Sequence, residues 1–245
     1  MSIDTASIRR YIGGRGQADA ERVGSIVSAG RGPRRRRRPE EAERAILAAA
    51  RTFLQERPFR EMTVEDVMAR TGLSRPAFYA YFRDRYDLVT RLLEGIAGLL
   101  FAVDQRWLAG GVDVGREEAG EVLAGALRRG AETFARNGPV LRAIADAASQ
   151  DVRVEEVYRY GLIERLVAAT AVRISRDVEA GLSPEDIDPE ETARALVLMT
   201  ERYLLDAFGR PSEKPSRERT VAVVDTLEAV WVRTLYGRKS LRSSG

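Results

Sequence analysis

From Pro39 onward, apolar residues recur at helical spacing and never settle into the two-residue alternation of a half-buried strand. PEEAERAILAAARTFLQERP opens with Pro39, Glu40 and Glu41, which suit a helix N-terminus, and closes at Pro58. Ile46, Leu47, Ala50, Phe53 and Leu54 share one face of that helix. TVEDVMARTG predicts a compact second helix, with Thr63 as side-chain cap, Asp66 at the capping-box position and Gly72 as its stop. Val64, Val67 and Met68 form its apolar face. A tight turn at Gly72-Leu73 leads into SRPAFYAYF, with Ser74 predicted to cap a third helix and Pro76 in its first turn.

A long helix is predicted from near Asp84 to about Leu108, with the stripe Leu88, Val89, Leu92, Leu93, Ile96, Leu99, Leu100 and Val103. Beyond it, helical segments alternate with breaks expected at Gly110-Gly111, Gly138-Pro139, Gly181 to Pro189 and Gly209 to Pro215. The last segment, Arg217 to Tyr236, repeats Val223, Val224, Leu227, Val230, Trp231, Thr234 and Leu235 at the spacing of a buried seam. There is no internal repeat. The expected fold class is all-α.

Two short helices joined by a glycine turn, after a longer supporting helix, make a helix-turn-helix. SRPAFYAYF then poses a question, because Phe78, Tyr79, Tyr81 and Phe82 fall within five residues of a segment too short to fold alone. The last helix is held by its neighbours, which leaves the residues of its N-terminal face free. In helix-turn-helix proteins those residues meet base edges in the major groove. Arg75 is the natural reader, since a guanidinium bonds O6 and N7 of guanine together. Tyr79 and Tyr81 suit hydroxyl contacts to phosphate.

Composition narrows the chemistry. The 245 residues contain no cysteine and no histidine, which excludes disulfides, zinc fingers, cysteine nucleophiles and every imidazole-dependent triad or metal site. No cofactor is implied, and no phosphate-binding loop or nucleophile elbow is present. No apolar run is long enough for a membrane span, so the cytoplasm is the expected location. The net charge of +3 conceals an asymmetry: residues 1–39 carry +7, leaving −4 for the remainder. That first stretch reads as a disordered arm whose end, Arg34, Arg35, Arg36, Arg37 and Arg38, suits phosphates or the minor groove.

Thr63 to Phe82, TVEDVMARTGLSRPAFYAYF, resembles the DNA-binding signature of the TetR family of bacterial repressors. The resemblance extends through most of residues 40–237 and is weakest between about 104 and 180. It implies DNA-facing roles for Thr63, Ser74, Arg75, Pro76, Ala77, Tyr79 and Tyr81, with core roles for Phe78 and Phe82. Arg85 stands where the family usually has a phosphate-contacting lysine, and Arg83 adds a cation beside it.

The resemblance also implies a three-part organisation: an arm (1–39), a DNA-binding domain (40–86) and an effector-binding and dimerisation domain (87–245). Glu191 to Phe208 and Arg217 to Tyr236 would pair with those of a second subunit as a four-helix interface. One group of members carries an apolar tunnel in this half. Its matching positions are Leu123, Leu127, Phe134, Val197, Thr200, Glu201, Leu204, Leu205 and Trp231, with Tyr158 and Leu162 as walls from the weakly matched middle.

The reading is a homodimeric transcriptional repressor, not an enzyme, that binds a pseudo-palindromic double-stranded operator and is released by a small lipophilic effector. One alternative is a non-specific architectural DNA-binding protein driven by the arginine arm. A remote one is a carboxylate enzyme using Glu201 as general acid, for which no second catalytic group presents itself.

Overall fold

The computed structural model describes residues 39–110 and 114–237; the side chains of 102–106 also lie outside that description. The arm predicted over 1–39, with Arg34 to Arg38, therefore lies outside the described residues except for Pro39. Among the described residues every regular element is helical.

α1 (Pro39–Glu56) buries Ile46, Ala50, Phe53 and Leu54 as its period requires. Its last carbonyls are satisfied from far along the chain: Ser212 donates its N–H to the Gln55 carbonyl at 2.7 Å and its hydroxyl to that of Glu56 at 2.9 Å. Ser212 adopts φ 63°, unusual for a residue with a Cβ, and these two bonds hold it there.

A 3₁₀ turn (Phe59–Glu61) leads to α2 (Val64–Ala69), which carries the predicted capping box. The Thr63 hydroxyl accepts from the Asp66 N–H at 3.1 Å, and Asp66 accepts from the Thr63 N–H at 3.2 Å. The Thr63 hydroxyl also donates to Asp66, which holds that carboxyl below its ordinary range. Gly72 turns the chain at φ +67°, a conformation that a Cβ would strain.

α3 (Arg75–Tyr79) is little more than one turn. Ser74 has the extended backbone of a cap, but its side chain accepts nothing, contrary to the expectation. Pro76 has no N–H to offer, and the Ala77 N–H bonds the Ser74 carbonyl at 2.9 Å instead. The helix is held by Phe78 and Phe82, both fully buried with ring centroids 5.4 Å apart.

α4 (Arg85–Leu108) is capped by Asp84, whose Oδ1 accepts from the N–H groups of Tyr86 and Asp87, both at 2.9 Å. Its buried face runs Leu88, Val89, Leu92, Leu93, Ile96, Leu100 and Trp107. Leu99, expected in that stripe, is 54% exposed because it falls outside the buried arc, and Val103 lies among the undescribed side chains.

The expected break at Gly138-Pro139 does not occur: α5 (Arg116–Ala148) runs through both residues. Its buried face continues across them, from Leu123 and Ala131 to Val140, Leu141 and Ile144. That packing outweighs the backbone bond lost at the proline. Gly138 is required by close approach, since a Cβ there would run into the carbonyl of Phe208. The breaks expected at Gly181 to Pro189 and Gly209 to Pro215 fall between helices, and α4 ends before Gly110.

α6 (Val152–Glu155) continues into a π-helical segment (Glu156–Ile163) and then α7 (Glu164–Glu179). α8 (Pro189–Phe208) and α9 (Arg217–Tyr236) complete the described residues, capped by Asp188 and Ser216. α4 packs on α5, α5 on α8 and α9, and α7 on α8, enclosing a cavity within a core that is continuous with that of the first helices.

Candidate DNA-reading face and ligand cavity

The residues expected to meet DNA do not share one environment. Ser74, Arg75, Pro76 and Tyr79 stand exposed on one side of α3, Tyr79 at 51%, and Arg83 is exposed just beyond it. Ala77 and Tyr81 are half-buried and pack against the core. Thr63 is exposed, yet its hydroxyl is already both donor and acceptor to Asp66.

Arg85 sits differently from a free phosphate contact. Its guanidinium lies 4.8 Å from the Phe59 ring centroid, donates to the Met62 carbonyl at 3.2 Å and meets the Tyr86 hydroxyl at 3.3 Å. It braces the start of α4. Arg75 is also engaged in the absence of DNA: Nη1 lies 2.7 Å from Glu65 Oε1, and Nη2 donates to the Tyr79 hydroxyl at 3.4 Å. Glu65 was not singled out by its spacing. Its position two residues after the Thr63 cap is the signal that could have placed it beside α3.

Among the later helices, Leu123, Leu127, Phe134, Tyr158, Leu162, Val197, Thr200, Glu201, Leu204 and Trp231 line one cavity of about 100 Å³. Leu205, expected with them, does not: it is buried in the packing behind the lining. The cavity also takes Leu100 and Trp107 from α4, Leu141 from α5, and Leu166 and Thr170 from α7, which sequence reasoning missed. Leu141 was hidden by reading Gly138-Pro139 as a break. With α5 continuous, it shares the helical phase of Leu123, Leu127 and Phe134.

The polar groups of the cavity are tied to one another. Trp231 Nε1 donates to the Thr200 hydroxyl at 2.8 Å, and its ring meets Trp107 edge-on at 6.0 Å. Trp107 Nε1 donates to the Tyr236 hydroxyl at 3.1 Å, which donates to Asp177 at 2.7 Å. Asp177 also accepts from Arg173 Nε at 2.9 Å. Burial and the Asp177 carboxylate push the Tyr236 hydroxyl up to about 12, with the Trp107 donor acting against them. On the opposite wall the Tyr158 hydroxyl donates to Glu201. Burial first, then the Glu201 charge, push that hydroxyl far above its ordinary value, so it remains a donor.

The segment 39–86 shares one apolar core with the helices beyond it, and polar contacts reinforce the join. Arg51 Nη1 donates to Asn137 Oδ1 at 2.7 Å, Ser212 caps α1, Arg91 pairs with Glu43 at 3.2 Å, and Arg153 pairs with Asp84 at 2.9 Å.

Comparison with known proteins gives two family matches in tandem. Residues 46–92 match the model for bacterial regulatory proteins of the tetR family, and residues 123–237 match the C-terminal domain of the transcriptional regulator EthR. The HTH-type transcriptional regulator EthR of Mycobacterium tuberculosis is 33% identical over 206 residues, covering 83% of this chain and 92% of that protein. Its counterpart in Mycolicibacterium smegmatis is 31% identical over 221 residues, covering 87% and 96%. Among solved structures, the TetR-family regulator PfmR of Thermus thermophilus aligns with TM-score 0.62 at 20% identity, covering 79% of this chain and 98% of that one. A transcriptional regulator from Saccharomonospora viridis in complex with choline aligns with TM-score 0.62 at 16% identity, covering 81% and 100%. At those identities the structural likeness concerns the fold.

Proposed function

The chain belongs to the TetR family of bacterial transcriptional regulators, and we propose that it is a homodimeric repressor whose α3 reads a pseudo-palindromic operator and whose C-terminal cavity takes a releasing effector. The observation that carries this reading is the free N-terminal face of α3, where Ser74, Arg75, Pro76 and Tyr79 project from a helix anchored by Phe78 and Phe82. Phosphate contacts from Tyr79, Arg83 and the undescribed Arg34 to Arg38 set register, and Arg75 supplies base readout. Ala77, Tyr81 and Arg85 support that face from the packed side, and Thr63 caps the helix before it. The division is an arm (1–39), a reading head (40–86) and an effector and dimer domain (87–245).

Leu198 and Met199 on α8 and Val221 on α9 are exposed apolar residues, which supports these helices as the dimer face. Two subunits then place their α3 helices in successive major grooves, roughly 34–36 Å apart. An effector releases the operator only through different affinity for the two dimer geometries.

DNase footprinting of the full chain on the DNA flanking its gene tests the reading. A protected segment with two-fold sequence symmetry is the expected result. Protection that spreads without sequence preference would instead support the architectural alternative driven by the arginine arm. The family is one of transcriptional regulators, and no reaction is assigned to Glu201.

A further inference from the structure

Tyr158, Ile163 and Glu201 line two spaces at once: the inner cavity of about 100 Å³ and an outer groove of about 480 Å³. The Tyr158–Glu201 hydrogen bond is thus part of the wall between them. Small-molecule sites run to about 300–1,000 Å³, so the inner cavity holds no such molecule until a wall moves. The wall with the least regular backbone is the π-helical segment (Glu156–Ile163) that carries Tyr158. Swinging Tyr158 aside merges cavity and groove.

That movement leaves the Glu201 carboxylate without its donor. Among the described residues no guanidinium pairs with it; Arg159 and Arg194, the cations of the groove, are paired with Glu164 at 4.0 and 3.0 Å. Arg142 acts on Tyr158 only through its field. The remaining lining is apolar, apart from Thr200, which is occupied by Trp231, and Thr170. A half-buried carboxylate stripped of its donor is costly, so an occupant that displaces Tyr158 must replace the lost bond.

We propose that the Tyr158–Glu201 pair is a gate that selects the effector's head group: an apolar body ending in an N–H donor, best an ammonium, that takes the Tyr158 hydroxyl's place on Glu201. Apolar molecules without a donor leave the carboxylate bare, and carboxylates are repelled. This rests on the effector-cavity reading above and supplies the chemistry that reading leaves open.

Isothermal titration of the full chain with decylamine, 1-decanol, decyl methyl ether and decanoate, below their aggregation limits, tests it. Charge-assisted bonds of this kind correspond to roughly tenfold or more in affinity. Decylamine is expected to bind at least about tenfold more tightly than the ether, with decanoate weakest. Glu201→Gln should bring amine and ether within about threefold of each other. Tyr158→Phe, which opens the gate but keeps the carboxylate, should tighten all binders and preserve their order. Equal binding of amine and ether by the wild type overturns the gate while leaving the cavity reading intact. So does an amine preference that survives Glu201→Gln. Failure of all four compounds to bind both wild type and Tyr158→Phe contradicts the effector cavity itself.

Discussion

Arg153 donates to Oδ2 of Asp84 across 2.9 Å, while Oδ1 of the same carboxylate caps α4 by accepting from Tyr86 and Asp87. One side chain therefore fastens the segment leading into the π-helical wall of the cavity to the helix next after the reading head. Asp84→Ala removes both functions and is expected to lower stability by about 1 kcal/mol, the usual worth of a helix cap. Arg153→Ala removes exposed ion pairs to Asp84 and Asp151 but leaves the cap, and should cost less than about 1 kcal/mol. Urea melts of the two variants check the order.

The same carboxylate gives a pH dependence. Burial works against its charge, but the N–H of Asp87, the Arg153 guanidinium and the N–H of Tyr86 hold its pKa below the ordinary 3.8. A depressed folded-state pKa contributes stability above the unfolded value, and that contribution is lost as pH falls through the folded one. Acid unfolding of Asp84→Asn should therefore show a shallower loss of stability below pH 4 than the wild type, measured by urea midpoints across the acid range.

Two glycines of α5 should respond in opposite ways to alanine. At Gly138 the added methyl meets the Phe208 carbonyl, so Gly138→Ala is expected to cost about 1–3 kcal/mol as the α5–α8 contact is forced apart. At Gly130 nothing lies within 4 Å of the new Cβ, so Gly130→Ala should stabilise by about 0.5–1 kcal/mol through helix propensity. Thermal melts of the pair separate packing from backbone entropy.

The contrast at Gly138 also marks where the sequence was legible. Periodicity located α1, α2, α4 and α9 because their apolar faces obey local rules, and the Thr63–Asp66 box formed as written. Gly138-Pro139 misled because the force that keeps α5 intact is packing against Phe208, 70 positions away. The missing cap at Ser74 has a local cause, the absent N–H of Pro76, that the residue preference alone did not weigh. For the cavity, ten of the eleven residues expected to line it do so, while those from α4 and α7 went unseen because helical phase does not tell which neighbour a buried face meets. The Asp84–Arg153 pair was invisible for the same reason.

Glu65 stands 2.7 Å from the residue assigned to read bases, on the face proposed to meet DNA. Glu65→Gln removes a repelling charge and is expected to raise affinity for arbitrary duplex DNA about three- to tenfold and to change the salt slope by about one. Operator affinity should rise at least as much, because the Arg75–Glu65 pair must break before Arg75 reaches guanine. Filter binding across a salt series measures both quantities.

The central claim is that α3 reads sequence through Arg75. Its most direct test is the affinity of Arg75→Ala for the footprinted operator and for a scrambled duplex of equal composition, at one salt concentration. A lost bidentate guanine contact corresponds to about 1–3 kcal/mol, so operator affinity should fall roughly tenfold to a hundredfold while scrambled-duplex affinity falls at most about threefold. Equal losses on the two duplexes would contradict the claim.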